Sequence, residues 1–198
     1  MSDHYYTQKP GVKHDRQTHQ AELNGYSFKF ITDAGVFSKS GVDYGSRVLL
    51  RALELDVNAK VLDVGCGYGP IGLTAAKLAP EGHVTMIDIN ERAVQLSKEN
   101  AALNGIANVE VLQSDLYDAV KEKRFDAILT NPPIRAGKET VHRIFEEGYE
   151  LLVPGGKMWV VIQKKQGAPS AEAKLQSLFG DVEEVTKDKG YRIYMATK

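Results

Sequence analysis

From residue 60 onward, short runs of consecutive apolar residues alternate with longer segments in which apolar residues recur every three or four positions. The short runs are "KVLDVG", "HVTMID", "NVEVLQSD", "FDAILTN" and "KMWVVIQ". Between them lie "PIGLTAAKLA", ended by Pro80, and two longer helical patterns over 91–103 and 138–152. The first of these has Ala93, Leu96 and Leu103 on one side. The second has Val141, Ile144, Phe145, Leu151 and Leu152, with Gly148 on the same face. Strands that alternate with helices form parallel sheets, because a parallel neighbour needs a crossover long enough to hold a helix. Apolar runs without polar alternation belong to strands covered on both faces. Crossovers of this kind are right-handed, which leaves few topologies. The expected fold is therefore α/β: a Rossmann-like, doubly wound, mostly parallel sheet with helices on both faces. Beyond a further helix at "AEAKLQSLF", the stretch "VEEVTKDKGYRIYMAT" reads as two antiparallel strands joined at a turn.

Upstream of residue 60 the pattern differs. In "AELNGYSFKFIT", Asn24-Gly25 sits between apolar/polar alternations and signals a β-hairpin. Residues 33–41 read as a loop, and 42–54 as a helix with Val48, Leu49, Ala52, Leu53 and Leu55 giving an apolar face. Residues 1–19 read as a polar arm. The remainder, 20–198, reads as one domain, with the hairpin and helix at 20–55 and the α/β core at 60–198. A net charge of −1 means that a polyanionic partner would be held by a local basic patch. One cysteine excludes a disulfide framework and points to a reducing compartment. No apolar run approaches the ~18–20 residues of a membrane span, and the opening residues lack a leader's apolar stretch. The expectation is a cytoplasmic protein with no membrane partner and, as a working assumption on assembly, a monomer.

Ligands of such sheets bind outside the carboxyl ends of the strands. Four polar residues fall there: Asp63, Asp88, Asp115 and Asn131. The loop "VLDVGCGYGPIG" places Gly65 and Gly67 directly after a strand and before a helix, where backbone can approach a ligand closely. Gly67, Gly69 and Gly72 also satisfy the G-x-G-x-x-G dinucleotide pattern, with Asp88 at the spacing of a ribose-binding acid. Asp63, inside the strand, disfavours a pyrophosphate and favours a cationic group. Acids at three successive strand ends suit a ligand with an amine, a ribose diol and an adenine; S-adenosylmethionine has all three. Plainer roles stand beside these: Asp63 satisfied by loop amides, Asp88 as a helix cap (Asn90 is better placed), and Asp115 capping the turn "LYDAV".

The segment "LTNPPIRAG" ends a buried strand with an amide and two prolines. The exocyclic amino group of a nucleobase is a poor nucleophile, because its lone pair is delocalised into the ring. Two acceptors on its N–H bonds localise that pair. The Asn131 side-chain oxygen can be one and the Pro132 carbonyl the other. Pro133 restricts Pro132 to an extended conformation. Asparagine is no strong base, so the expected chemistry is direct displacement, with the proton lost afterwards to water. The five histidines show no ligand spacing, and Cys66 reads as a packed loop residue; no metal is expected.

Three blocks, "GVFSKSGVDYGSRVLL" (35–50), "VLDVGCGYGPIGL" (61–73) and "DAILTNPPIRAGK" (126–138), resemble the class I S-adenosylmethionine-dependent methyltransferases, specifically the small-subunit ribosomal RNA guanine-2-amino methyltransferases of the RsmC type. The likeness runs from about residue 20 to the end of the chain. It implies a seven-stranded sheet with an antiparallel last strand, S-adenosylmethionine as cofactor, and ribosomal RNA or the small ribosomal subunit as partner. Cofactor contacts are implied at Asp63, Gly65, Cys66 and Gly67, at Asp88 and Ile89 for the ribose, and at Asp115 and Leu116 for the adenine. Phe37 would wall the pocket. Asn131, Pro132, Pro133 and Ile134 would form the catalytic corner, with Asn131 also beside the cofactor. Two features depart from the family. Its better-known members carry an additional N-terminal domain of similar fold. They also often have an aromatic residue where Ile134 stands, which stacks on the target base; Arg135 could supply some stacking instead. Basic residues near the catalytic strand ends, Arg135, Lys138, Lys164 and Lys165, with Lys9, Lys13 and Arg16 in the arm, are expected to meet RNA phosphates. Rival readings are methylation of adenine or of a protein glutamine amide, a non-catalytic RNA-binding factor, and a nicotinamide-dependent dehydrogenase.

Overall fold

The computed structural model describes residues 5–198. It opens with a hairpin of β1 (Gln17–Leu23) and β2 (Tyr26–Thr32). Asn24 and Gly25 turn it with φ of 52° and 81°, the double positive φ that a two-residue turn between twisted strands requires. Helix α1 (Tyr44–Ala52) follows. Then come β3 (Lys60–Val64), α2 (Pro70–Leu78), β4 (His83–Asp88), α3 (Glu91–Leu103), β5 (Val109–Gln113) and β6 (Phe125–Thr130). The chain closes with α4 (Lys138–Leu151), β7 (Leu152–Gln163), α5 (Ala168–Phe179), β8 (Asp181–Asp188) and β9 (Tyr191–Thr197).

Strands β3 to β9 form one seven-stranded sheet in the order β5-β4-β3-β6-β7-β9-β8. The first five of these strands run parallel and β9 is antiparallel to both neighbours. Strand order reverses between β3 and β6, so the switch point lies at their shared carboxyl ends. Register fixes what meets there. Val64 pairs with Ile87 on one side and Thr130 on the other. The next residue along each strand is therefore Gly65, Asp88 or Asn131, and all three lie in one row across the sheet.

Each face of the sheet has its own apolar layer. Val61 and Leu129 pack with Val48, Leu49, Leu73 and Leu96 of α1, α2 and α3. Leu62 and Ile128 face the other way, against Ile144, Phe145 and Leu175 of α4 and α5. The hairpin joins the first layer through Phe28, Phe30 and Tyr68, whose ring meets Phe30 edge-on at 5.6 Å between centroids. Asn100 of α3 ties the hairpin down. Its side-chain oxygen accepts from Ile31 N at 2.7 Å, and its nitrogen donates to the carbonyls of Ile31 and Tyr68 at 3.0 and 2.8 Å.

Several boundaries differ from the sequence reading, each for a local reason. The hairpin starts at Gln17, inside the expected arm, because Gln17 pairs with Thr32. Helix α1 starts at Tyr44, because Asp43 caps it with extended φ and ψ. Strand β7 reaches back to Leu152, which pairs with Phe125 across a bulge in the "VPGG" stretch. Strands β5 and β6 stop at Gln113 and Thr130, which leaves Asp115 and Asn131 in the loops beyond.

Gly72 shows how closely α2 sits on the sheet: a Cβ there would lie 2.7 Å from Met86 Cγ and 2.8 Å from Asp63 Oδ2. Gly72→Ala is therefore expected to lower unfolding stability by ~1–3 kcal/mol through overpacking. The urea unfolding midpoint would report this, and an unchanged midpoint would show that α2 can move off the sheet freely.

Candidate active site

A cavity of about 720 Å³ opens along the carboxyl ends of the parallel strands. Its floor is the glycine turn. Gly65 and Gly67 have φ of 73° and 58°, and no atom lies within 4 Å of where a Cβ would be on either, so open space meets the backbone. The turn is pinned to β4: Gly65 N and Cys66 N both donate to the Ile87 carbonyl, at 2.9 and 3.0 Å. Gly67 N donates to Asp88 Oδ2 at 2.8 Å, while Asp88 Oδ1 accepts from Asn90 N at 2.9 Å. Asp88 thus braces the glycine turn from the neighbouring strand end and still lines the cavity. The helix cap is Asn90, whose side chain accepts from Arg92 N and Ala93 N.

Asp63 does not line the cavity. It is 1% exposed beneath α2, and its Oδ2 accepts from Gly72 N at 2.8 Å. Its place inside β3 puts it under the helix that follows the turn, and the contact seen is the plainer one, with the Gly72 amide. Its Oδ1 is buried with no hydrogen-bond partner. Burial, with a smaller contribution from the charge of Asp88, pushes its carboxyl up to about 7 against the pull of the Gly72 amide. Burial likewise raises Asp88 to about 6, opposed by the amides of Asn90, Gly67 and Ile89.

Across the switch point stands Asn131. Its Nδ2 donates to Asp43 Oδ2 at 3.1 Å and to Ser46 Oγ at 3.2 Å. Asp43 is already fixed as the α1 cap: Ser46 N donates to its Oδ2 at 3.1 Å and Ser46 Oγ to its Oδ1 at 2.6 Å. A carboxylate can only accept, so the amide is oriented with its nitrogen toward α1. Among the described residues no donor reaches Asn131 Oδ1 or the Pro132 carbonyl, and both residues line the cavity. The Pro133 carbonyl is used internally, accepting from Ala136 N at 2.9 Å. Asp43 and Ser46 were missed as site residues in the sequence. The signal was the pair Asp-x-x-Ser opening a helix, which reads as a cap until the fold brings Asn131 to it.

Phe37, Cys66, Ile89, Asp115, Leu116, Ile134 and Arg135 also line the cavity. So do Tyr5 and Tyr6 of the arm, which sequence reasoning did not single out. Tyr5 packs on Phe37 with centroids 5.2 Å apart, and its carbonyl accepts from Asn90 Nδ2 at 3.0 Å. The arm is therefore fastened over this end of the cavity. Arg16, expected to meet phosphate, pairs with Glu99 of α3, which the arm crosses on its way to β1. Lys138 opens α4 beside a separate shallow groove. Lys164 and Lys165 are exposed in a short 3₁₀ turn after β7. Among the described residues none of Arg135, Lys138, Lys164 and Lys165 forms an ion pair. No group of three or more described His, Cys, Asp or Glu residues is arranged to hold a metal. No described helix is long and apolar enough to cross a membrane.

The raised carboxyls set a pH dependence. An unfolded aspartate loses its proton near ~3.9, whereas folded Asp63 keeps its proton up to about 7. The folded state holds more protons across that window, so this contribution to stability is complete at low pH and is lost as pH rises toward 7. Without ligand, the loss of stability between pH 5 and pH 8 should be smaller in Asp63→Asn than in the parent. Urea midpoints at the two pH values test this, and equal losses would contradict it.

Residues 27–195 match the family model described as "Methyltransferase small domain". The chain is 54% identical over its whole length to the Bacillus subtilis protein named uncharacterized protein YbxB, and covers all of that protein. It is 33% identical, over 96% of its length, to the ribosomal RNA small subunit methyltransferase C of Hamiltonella defensa, and spans 56% of that relative. Among solved structures, the 16S rRNA N2 G1207 methyltransferase (RsmC) of T. thermophilus, in complex with AdoMet and guanosine, superposes with a TM-score of 0.83 at 28% identity. That match covers 96% of this chain and 52% of the other. The chain thus spans about half the length of these methyltransferases. On the family model and these relatives together, the chain belongs to the methyltransferase small domain family.

Proposed function

We propose that this chain transfers a methyl group from S-adenosylmethionine to the exocyclic amino group of a base, guanine in small-subunit ribosomal RNA. The observation that carries the reading is the locked Asn131 amide: its nitrogen is tied to Asp43 and Ser46, and its oxygen has no donor among the described residues.

The residues present fit the cofactor. The Asp88 carboxylate at the cavity wall suits a ribose diol, and the open backbone at Gly65 and Gly67 suits close approach of the aminoacyl part. Phe37, Ile89 and Leu116, with Asp115, suit an adenine ring and its amino group. When bound, S-adenosylmethionine supplies a methyl group activated by sulfonium charge and open to direct displacement.

The chain's own work is orientation. Asn131 Oδ1 and the Pro132 carbonyl accept the two N–H bonds of the target amine, which draws its lone pair out of conjugation. Asp43 keeps the amide from rotating to present its N–H₂ side, which would repel the amine. Neither acceptor is a strong base, so the surplus proton leaves to water after transfer. The relatives named for methylation of ribosomal RNA support the choice of substrate. Arg135 at the cavity, Lys164 and Lys165 next to its Gln163 and Gln166 wall, and Lys138 at the neighbouring groove, none with an ion pair among the described residues, suit its phosphates. We place the protein with ribosomes in the cytoplasm, in keeping with its lone free thiol, Cys66.

Labelled methyl transfer to unmodified small and large ribosomal subunits, naked ribosomal RNA and DNA, followed by nucleoside mass spectrometry, tests the proposal. Label in 2-methylguanosine is the expected result; label only in methyladenine or in protein would overturn it. Asn131→Ala should bind the cofactor normally and lose ~10²–10³ in turnover, the cost of one oriented transition-state hydrogen bond. Charge reversal at Lys164 and Lys165 should weaken RNA binding and flatten its salt dependence. A salt slope equal to that of the parent would remove these lysines from the interface.

A further inference from the structure

The corner after β6 presents Ile134, which offers no π face to a base. The cavity continues past it to the ends of β7 and β9, where Gln163, Gln166 and Tyr191 form its wall. They lie beyond β6, across Asn131 from the ends of β3, β4 and β5 that suit the cofactor. We infer that Tyr191, with Gln163 and Gln166, forms the pocket that receives the target base, Tyr191 as the stacking face and the glutamine amides as readers of its hydrogen-bonding edge. This rests on the reading of Asn131 as the site of amino methylation, and it names what holds the rest of the base.

Three observations carry it. The first is register. Gln163 and Tyr191 are direct cross-strand partners, so their side chains share one face of the sheet. On that face the rungs Trp159↔Met195 and Val161↔Ile193 belong to the apolar layer under α1. The rung Gln163↔Tyr191 is the next one out, where the layer ends and the cavity begins.

The second is Gly45. It lies in the first turn of α1, where nothing in the backbone calls for glycine, since its φ is not positive. Its reason is space: a Cβ there would sit 2.9 Å from both Cδ1 and Cε1 of Tyr191 and 3.2 Å from Asp43 Oδ2. The absence of a side chain lets the Tyr191 ring lie against the start of α1, beside the carboxylate that holds Asn131. The ring is thereby brought next to the catalytic corner from a strand two places away in the sheet.

The third is the state of the amides. Among the described residues, neither Gln163 nor Gln166 has a side-chain hydrogen bond. Each offers one acceptor and two donors to the cavity. Bases turned out of a stack are held by aromatic faces and read by hydrogen bonds along their edges. An aromatic face, free amides and an amine-orienting corner in one cavity match those needs.

The test measures nucleoside binding directly. Guanosine and adenosine are titrated against the protein saturated with S-adenosylhomocysteine, with saturation-transfer NMR as readout. Tyr191→Leu keeps apolar bulk against Gly45 and Tyr44 but removes the π face; Tyr191→Phe keeps both. Tyr191→Leu should weaken guanosine binding ~10–100-fold, the range of base–aromatic stacking, with S-adenosylhomocysteine affinity unchanged and Tyr191→Phe close to the parent. Gln163→Ala and Gln166→Ala should erode the preference for guanosine over adenosine. Parental guanosine affinity in Tyr191→Leu would overturn the inference. So would the absence of nucleoside binding in the parent protein. If RNA methylation persists in that case, the pocket alone falls; if it is absent too, the amino-methylation reading falls with it.

Discussion

A side-chain amide has one end that donates and one that accepts, and a partner decides which end is presented. In this fold the partner of Asn131 is Asp43, which already serves as the cap of α1 and is held there by Ser46. A helix cap and the partner that orients the Asn131 amide are thus the same carboxylate. The arrangement transmits order in one direction: α1 packs on the sheet through Val48, Leu49 and Leu50, its first turn fixes Asp43, and Asp43 fixes the amide. The segment before α1 is therefore as much a part of the site as the asparagine corner.

The sheet supplies the other half of the geometry. Because Val64 is in register with both Ile87 and Thr130, the glycine turn, the acid that braces it and the asparagine emerge in one row. Neighbouring strands stand about 4.8 Å apart, so a donor seated over the glycine turn and an acceptor seated at Asn131 are brought side by side without any long loop. The cost appears in Asp63 and Asp88, two carboxyls raised by burial on adjacent strands. Carboxyls kept in such positions without a salt bridge of their own suit a ligand that brings positive charge.

Much of this was legible in the sequence. The βα alternation gave the parallel sheet, Asn24-Gly25 gave the hairpin, and the glycine turn and "NPP" segment marked the two sides of the cavity. What was not legible depended on which strands become neighbours. Asp43 reads locally as a helix cap, and only the packing of α1 on the sheet, beside β7 and β9, brings it to Asn131. Asp63 reads as a loop-side acid, yet the alternation of β3 turns it under α2. Tyr191 lies in the final hairpin, more than a hundred residues from the glycine turn, and joins the cavity only because β9 inserts between β7 and β8. The arm reads only as polar because it is held by scattered single contacts, the Tyr5 and Val12 carbonyls taken up by Asn90 and Arg92, the Tyr5 ring on Phe37 and Arg16 on Glu99, which leave no mark in side-chain periodicity.

The central claim is that Asp43 acts through Asn131 rather than through the stability of α1. A double-mutant cycle on turnover separates the two: Asp43→Ala is introduced into the parent and into Asn131→Ala, with cofactor binding confirming that each variant is folded. The account predicts that losing Asp43 lowers turnover sharply when Asn131 is present and changes it little when Asn131 is already gone. An equal loss in both backgrounds would mean that the two residues act independently, and that the amide owes nothing to its carboxylate partner.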